Sequence, residues 1–240
     1  MRHLKQLLVV CAIVLGAAMG LRANTAPVDA PALQPCDPTG NFQMLMSAHR
    51  GTCTIGDKIF SGFTFMSSAS NGAHALHASQ LDYQVINDGT KAIGFSFSGA
   101  INAGHLQHSS VAITYEVSGP GIIDAQASIS GHGSLGNGQV IDLVCLGGPS
   151  VGCPSANLRT LHAVLPAGPS TATIAFSPVD EVGFNKSVIA FGSTGSFDIT
   201  HFSETVSQVP EPGTLLLFGT GLLLLILIVS RKQLRTGLTA

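Results

Sequence analysis

The stretch "LDYQVINDGTKAIGFSFS", Leu81 to Ser98, carries the signal from which the fold is read. Leu81, Tyr83 and Val85 share one face of its first half, and Ile93, Phe95 and Phe97 share one face of its second. Side chains of a strand alternate between faces, so each half buries one side and wets the other. Between them "NDGT", Asn87 to Thr90, supplies the Asp-Gly chemistry of a tight hairpin turn. The same period of two continues along the chain. "VAITYEVSG" places Val111, Ile113, Tyr115 and Val117 on one face, with Thr114, Glu116 and Ser118 toward solvent. "IIDAQASIS" does the same with Ile123, Ala125, Ala127 and Ile129. "KIFSGFTFM" reads as the first core strand, and "QVIDLVCL", "LHAVLPA", "TATIAFS", "KSVIAFG" and "SFDITHFSE" as later ones. Punctuated by Gly, Ser, Asn and Pro, these runs predict an all-β, antiparallel β-sandwich of roughly ten strands. Only "QMLMSAHR" has helical character, Pro27 to Pro38 reads as an extended lead-in, and Ser203 to Gln208 as a short polar link after the last strand.

The two ends of the chain have a different composition from this body. At the amino end Arg2 and Lys5 precede an uncharged run from Leu7 to Leu21 that closes on Ala23 and Ala26, the layout of a secretory signal peptide. At the carboxyl end Gly213 to Ser230 is an eighteen-residue uncharged span. As a helix it would reach about 27 Å, slightly short of a hydrocarbon core. Arg231, Lys232 and Arg235 follow it, which by the positive-inside rule leaves the body outside. The division expected is therefore a signal peptide over residues 1–23, one exported ectodomain over 24–209, and a sorting and membrane segment over 210–235.

Pro210, Glu211 and Pro212, then the short apolar helix, then the basic cluster resemble the PEP-CTERM sorting signal of Gram-negative bacteria. The resemblance implies export through the secretion translocon, temporary anchoring in the inner membrane, and recognition by an exosortase, a membrane-embedded cysteine protease. That enzyme would remove the tail and pass the body to the cell surface or outside, often where exopolysaccharide is made. The body is similar to a recurrent ectodomain of such proteins in "ITYEVSGPGIIDAQASISG", "NKSVIAFGSTGS" and "FSETVSQVPEP". The family carries no agreed catalytic residues, so the resemblance transfers none.

Of the eleven Lys and Arg residues the body holds five, Arg50, Lys58, Lys91, Arg159 and Lys186, against twelve of the thirteen Asp and Glu. Nucleic acid is not an expected partner, because phosphate recognition needs a clustered basic surface. Cys36, Cys53, Cys145 and Cys153 remain after the signal peptide, an even number in an exported chain and hence a disulfide framework. Three pairings are open; loop-closure entropy favours Cys36 with Cys53 and Cys145 with Cys153.

Candidate chemistry is sparse. His74 with His77 and His105 with His108 form two H-x-x-H pairs in loop-like segments without an accompanying acid or thiol, so no metal site is expected. "GHGSLGNG", Gly131 to Gly138, has the G-x-G-x-x-G spacing but is followed by a strand pattern, not the helix a dinucleotide needs, and reads as a flexible loop. No G-x-S-x-G elbow is present, and Asp180-Glu181 is the only adjacent acidic pair of the body. The chain has no Trp and only Tyr83 and Tyr115, a thin aromatic supply for stacking on sugars. Neither a catalytic residue nor a cofactor is expected. The reading is an exported, non-catalytic structural or interaction protein of the envelope or extracellular matrix. The alternatives are a carbohydrate-binding or polysaccharide-modifying surface protein and a plain single-pass anchor.

Overall fold

The computed structural model describes residues 33–48, 51–89, 92–165 and 170–209, together with Gly221. The expected signal peptide, the apolar span and its basic tail lie outside these residues. Among the described residues no helix is long and apolar enough to cross a membrane.

From residue 33 to residue 209 the described chain is all-β apart from one short helix and a 3-10 turn. Its strands are β1 (Thr39–Asn41), β2 (Thr52–Ile55), β3 (Lys58–Ser70), β4 (Asp82–Asn87), β5 (Ile93–Ala103), β6 (His108–Leu146), β7 (Leu158–Leu165) and β8 (Ser170–Gln208). Helix α1 spans Phe42–Ser47. All pair antiparallel in one continuous sheet ordered β1-β4-β5-β8-β6-β3-β2, with β7 on β6. The expected hairpin is β4–β5, closed by Asp88 N–H donating to Ala92 O at 2.8 Å, with Gly89 at φ 60°.

Eight strands replace the roughly ten expected: six of the expected runs are fused into two, and the short β1 and β2 are added where no strand was expected. Strands β6 and β8 are each 39 residues long, far beyond an ordinary strand, and each turns back through the sheet. Their register resolves the continuous sheet into two layers. In the first, residues 181–191 of β8 lie between residues 108–118 and 136–146 of β6, flanked by β3 and β2 on one side and β7 on the other. In the second, residues 122–130 of β6 lie between residues 170–179 and 199–208 of β8, followed by β5, β4 and β1. The bends fall at register shifts, notably Ser118/Ile122, where Gly119 and Gly121 take φ of 146° and 67°. At Gly119 a Cβ would stand 2.7 Å from the Lys58 side chain and 2.8 Å from Asp57 O, so the chain can cross there only without one.

This bend corrects one face assignment. Val111, Ile113, Tyr115 and Val117 are buried as expected, and so are Ala125, Ala127 and Ile129, but Ile122 is buried and Ile123 is not. An extra residue at the bulge reverses the alternation locally. "GHGSLGNG" is likewise not a loop: it is ladder-paired within β6 against residues 190–199, at the second bend.

The core is aromatic and joins the layers. Phe95 of the second layer meets Phe60 and Phe63 of the first at 5.0 and 5.9 Å between ring centroids. Tyr115 stacks on Phe184 at 5.1 Å, and Phe97 on Phe202 at 5.1 Å. Helix α1 closes one end. Asn41 caps it through Oδ1, which accepts from Met44 N–H at 3.1 Å, and Phe42 and Leu45 turn inward, Phe42 meeting Phe63, Phe65 and Phe97. Phe95→Ala should destabilise the fold by about 3–5 kcal/mol, read by denaturant unfolding. A loss below about 1 kcal/mol would mean that the aromatic contacts do not hold the layers together.

Candidate functional site

The two H-x-x-H segments are brought together. Asn71 Nδ2 donates to Leu106 O at 2.7 Å, Gln107 Nε2 donates to Asn71 O at 3.1 Å, and Ser109 Oγ donates to His74 O at 3.3 Å. His74, His77 and His105 are exposed and His108 is half-buried at the start of β6. Among the described residues no three His, Cys, Asp or Glu side chains gather as ligands of a metal would. Asp180 and Glu181 serve the crossing between layers: Asp180 Oδ1 accepts from Gly121 N–H at 3.2 Å, and Glu181 O from Gly147 N–H at 2.8 Å. Both disulfides are the local ones, Cys36–Cys53 and Cys145–Cys153. The first ties the lead-in to β2, where Cys36 N–H also donates to Thr54 O at 2.9 Å.

The outer face of the second layer carries a row of small polar side chains. Register sets Gln84, Ser96, Ser203, Ser128 and Thr171 side by side across five segments, and beside them Asp82, Ser98, His201 and Ser130. The hydroxyls of Ser128 and Ser203 are 2.6 Å apart. Next to this row a shallow depression of about 260 Å³ is lined by Gln80, Asp82, Ser98, Gly99, Ala100 and Thr200. It sits where β5 shifts register against β8 between Ser98 and Ile101. Neutral donors and acceptors with one carboxylate suit a hydroxyl-rich ligand held by hydrogen bonds. Stacking by tyrosine is not available there, since Tyr83 and Tyr115 are both in the core.

The end of β8 is the third feature. Lys58 is fully buried, and its Nζ donates to Asp57 Oδ1 at 3.0 Å, to Pro120 O at 2.8 Å and to Gln208 Oε1. Asp124 Oδ1 accepts from Ser207 N–H at 3.0 Å, and Val209 N–H donates to Gly121 O at 2.9 Å. Ser203 to Gln208 is therefore strand, with Glu204, Thr205 and Val206 buried, and not the polar link expected. Pro210, which has no N–H to extend the ladder, follows at once.

Residues 208–232 match the model of the PEP-CTERM protein-sorting motif. The chain carries that sorting motif. It begins at the last residue of β8, so the final ladder bonds of the sandwich and the start of the PEP-CTERM motif overlap. Pro210, Glu211, Pro212, Arg231 and Lys232 fall inside the match, and Arg235 three residues beyond it. All six are outside the described residues. No curated protein sequence matches the chain. Solved structures similar to it include TmCBM61 in complex with β-1,4-galactotriose, at 14% identity and a TM-score of 0.33, covering 60% of this chain and 88% of that one. A family 11 carbohydrate-binding module from Clostridium thermocellum, in complex with a β-1,3-1,4-mixed-linked tetrasaccharide, is similar at 12% identity and a TM-score of 0.28, covering 61% and 91%.

Upstream of the PEP-CTERM motif the structure gathers three ionisable residues that no motif marked. Lys186 Nζ lies 2.9 Å from Asp142 Oδ2 and also contacts Glu204 Oε2, with all three side chains buried. Each stands in the inward phase of an apolar alternation: Asp142 between Val140 and Val144, Lys186 between Phe184 and Val188, Glu204 between Phe202 and Val206. That phase is the signal by which they could have been found. Asn185-Lys186-Ser187, a glycosylation sequon by pattern, is thus part of a central strand with its lysine inside. Burial pushes the Glu204 carboxyl well above the ordinary carboxylate range, Asp142 adds to the rise, and Lys186 opposes it. Burial favours the neutral amine of Lys186, but the two carboxyl groups outweigh it and raise its pKa. The Tyr115 phenol is driven up by burial, then by Glu204 and Asp142.

A carboxyl that titrates higher folded than unfolded keeps its proton where the unfolded chain has lost it. Its stabilisation is complete below the unfolded value of 4.5 and declines as pH rises through the folded value. The denaturant midpoint of the protein should therefore fall as pH is raised from 4.5 toward neutrality, and Glu204→Gln should flatten that slope. A midpoint rising over the same window would contradict the assignment.

Proposed function

We propose that the chain is an exported protein of the bacterial envelope or extracellular matrix, non-catalytic, whose chemically specific event is to be cut as an exosortase substrate. The observation that carries this is the PEP-CTERM match over residues 208–232, at the exit of a disulfide-bonded sandwich. In this reading the translocon exports the body, the apolar run Leu215 to Val229 holds the chain at the inner membrane, and Arg231, Lys232 and Arg235 stay on the cytoplasmic side. Exosortase then acts near Pro210, Glu211 and Pro212 and releases the body to the surface or beyond. Disulfides suit that compartment, and the body's acidic balance suits no nucleic-acid role.

The strand exit constrains the event. The last ladder bond is made by Val209, one residue before Pro210, so the folded body has no slack with which to feed Pro210 to a distant enzyme. Exosortase would have to work against the end of the sandwich itself. Intact mass of the mature protein from cells with and without exosortase should differ by a C-terminal segment that includes Leu215 to Ala240. The same C-terminal mass in both would refute the proposal.

A second reading, recognition of exopolysaccharide, is favoured by the hydroxyl row and the depression at Gln80, Asp82, Ser98 and Thr200. Under it Asp82→Ala with Gln80→Ala should weaken binding to the host's own polysaccharide at least about tenfold, the loss of roughly 1.4 kcal/mol. Binding that is unchanged in the double variant, or absent in the parent, would leave the face without that role.

A further inference from the structure

Lys186 and Asp142 are direct cross-strand partners in the first layer, and Glu204 reaches them from the second. Although Nζ and Oδ2 are 2.9 Å apart, neither the amine nor any oxygen of the two carboxyl groups makes a hydrogen bond of good geometry. The surroundings are apolar: Tyr115 and Phe184 stack beside them, and Phe95 faces Tyr115 from the other layer. A buried ion pair left without supporting hydrogen bonds costs more than it returns. An amine held against a carboxyl out of water has a second way to lose its charge, which is condensation. Orientation of this kind replaces a bimolecular encounter and lowers the barrier by several orders of magnitude.

We propose that Lys186 and Asp142 join in an intramolecular isopeptide bond, Nζ to Cγ, with Glu204 as the proton shuttle. Transfer of the ammonium proton to Asp142 leaves an uncharged amine facing an uncharged carboxyl. The Nζ lone pair attacks Cγ and the N–C bond forms, while the C=O π pair moves to oxygen. Glu204 gives its proton to that oxygen and takes one from nitrogen through its other oxygen. The diol then collapses: one hydroxyl leaves as water with a proton from Glu204, and Glu204 recovers a proton from the remaining hydroxyl as C=O reforms. One ammonium and one carboxylate become one amide and one water, and Glu204 ends protonated as it began. That protonated form is the one burial favours at this position. The amide is also far cheaper to keep in an apolar core than the charged pair it replaces.

Tryptic digestion and tandem mass spectrometry of the full exported chain, after reduction, test this. The expected product is a branched peptide joining Lys186 to Asp142, lighter than its two parts by one water and uncut after Lys186. Asp142→Asn should still link, but with loss of ammonia in place of water. Glu204→Gln should slow linkage by roughly a hundredfold, the scale of general acid–base catalysis. Cleavage after an unmodified Lys186 in parent protein whose Cys145–Cys153 disulfide is formed would overturn the proposal. Full linkage in Glu204→Gln would remove Glu204 from it. Should that variant fail to fold, the water in the parent and the ammonia in Asp142→Asn decide the matter, and absence of both losses overturns the bond.

Discussion

The contact between Lys186, Asp142 and Glu204 is the constraint around which the sandwich is arranged. Lys186 and Glu204 belong to one strand, β8, but to two different passes of it, one in each layer. Asp142 comes from the last pass of β6. The three can meet only if both long strands have turned at the right residues and each pass has the right register. A slip of one residue in the pass through Lys186 would turn its ammonium outward and bring Asn185 or Ser187 inside. It would also leave two carboxyl groups buried with no cation, a state that is strongly disfavoured. The same slip would turn Phe184 and Val188 out to the wet face, so the apolar alternation and the buried charges select one register together.

The two 39-residue strands explain why one network can reach both layers. A strand confined to one layer contributes to the other only through its side chains, whereas β6 and β8 change layers and remain hydrogen-bonded through the change. Their bends fall where side chains would collide. A Cβ at Gly131 would stand 2.3 Å from Asp198 O, and one at Gly133 2.3 Å from Ser196 O, so the passes approach closely at the second bend only because no side chain intervenes. At the first bend Lys58 fills the space over Gly119 and ties Pro120 to Gln208.

Much of this was legible from alternation. The inward faces of residues 111–117, 125–129 and 93–97 are as the period of two requires, and Asp-Gly marks the β4–β5 hairpin. The local disulfides follow from loop entropy. What alternation could not show is continuity. Ser-Gly-Pro-Gly at 118–121 reads as the end of a strand, and in isolation it would be one; here it is a bend because residues 181 and 208 are waiting on either side of it. The charged triad was hidden for a related reason. A lone Lys or Glu in a strand is ordinarily assigned to the wet face, and only the pairing of three distant residues makes their inward phase affordable. Ser203 to Gln208 reads as a polar link for the same reason, yet its alternate positions Glu204 and Val206 are core.

The persistence of β8 to Gln208 decides how the body meets its sorting motif. A flexible link would let the sorting motif move independently of the fold. Instead the chain is held to its final ladder residue by Asp124 on Ser207, by Lys58 on Gln208 and by Gly121 on Val209. Glu204 itself lies only six residues before Pro210 on that same strand. The network that sets the register of β8 thus also sets which residue emerges first from the sandwich. A body whose last pass were out of register would present the Pro-Glu-Pro stretch at a different distance from its edge, so the charges in the core and the place of the motif are coupled through six residues of one strand.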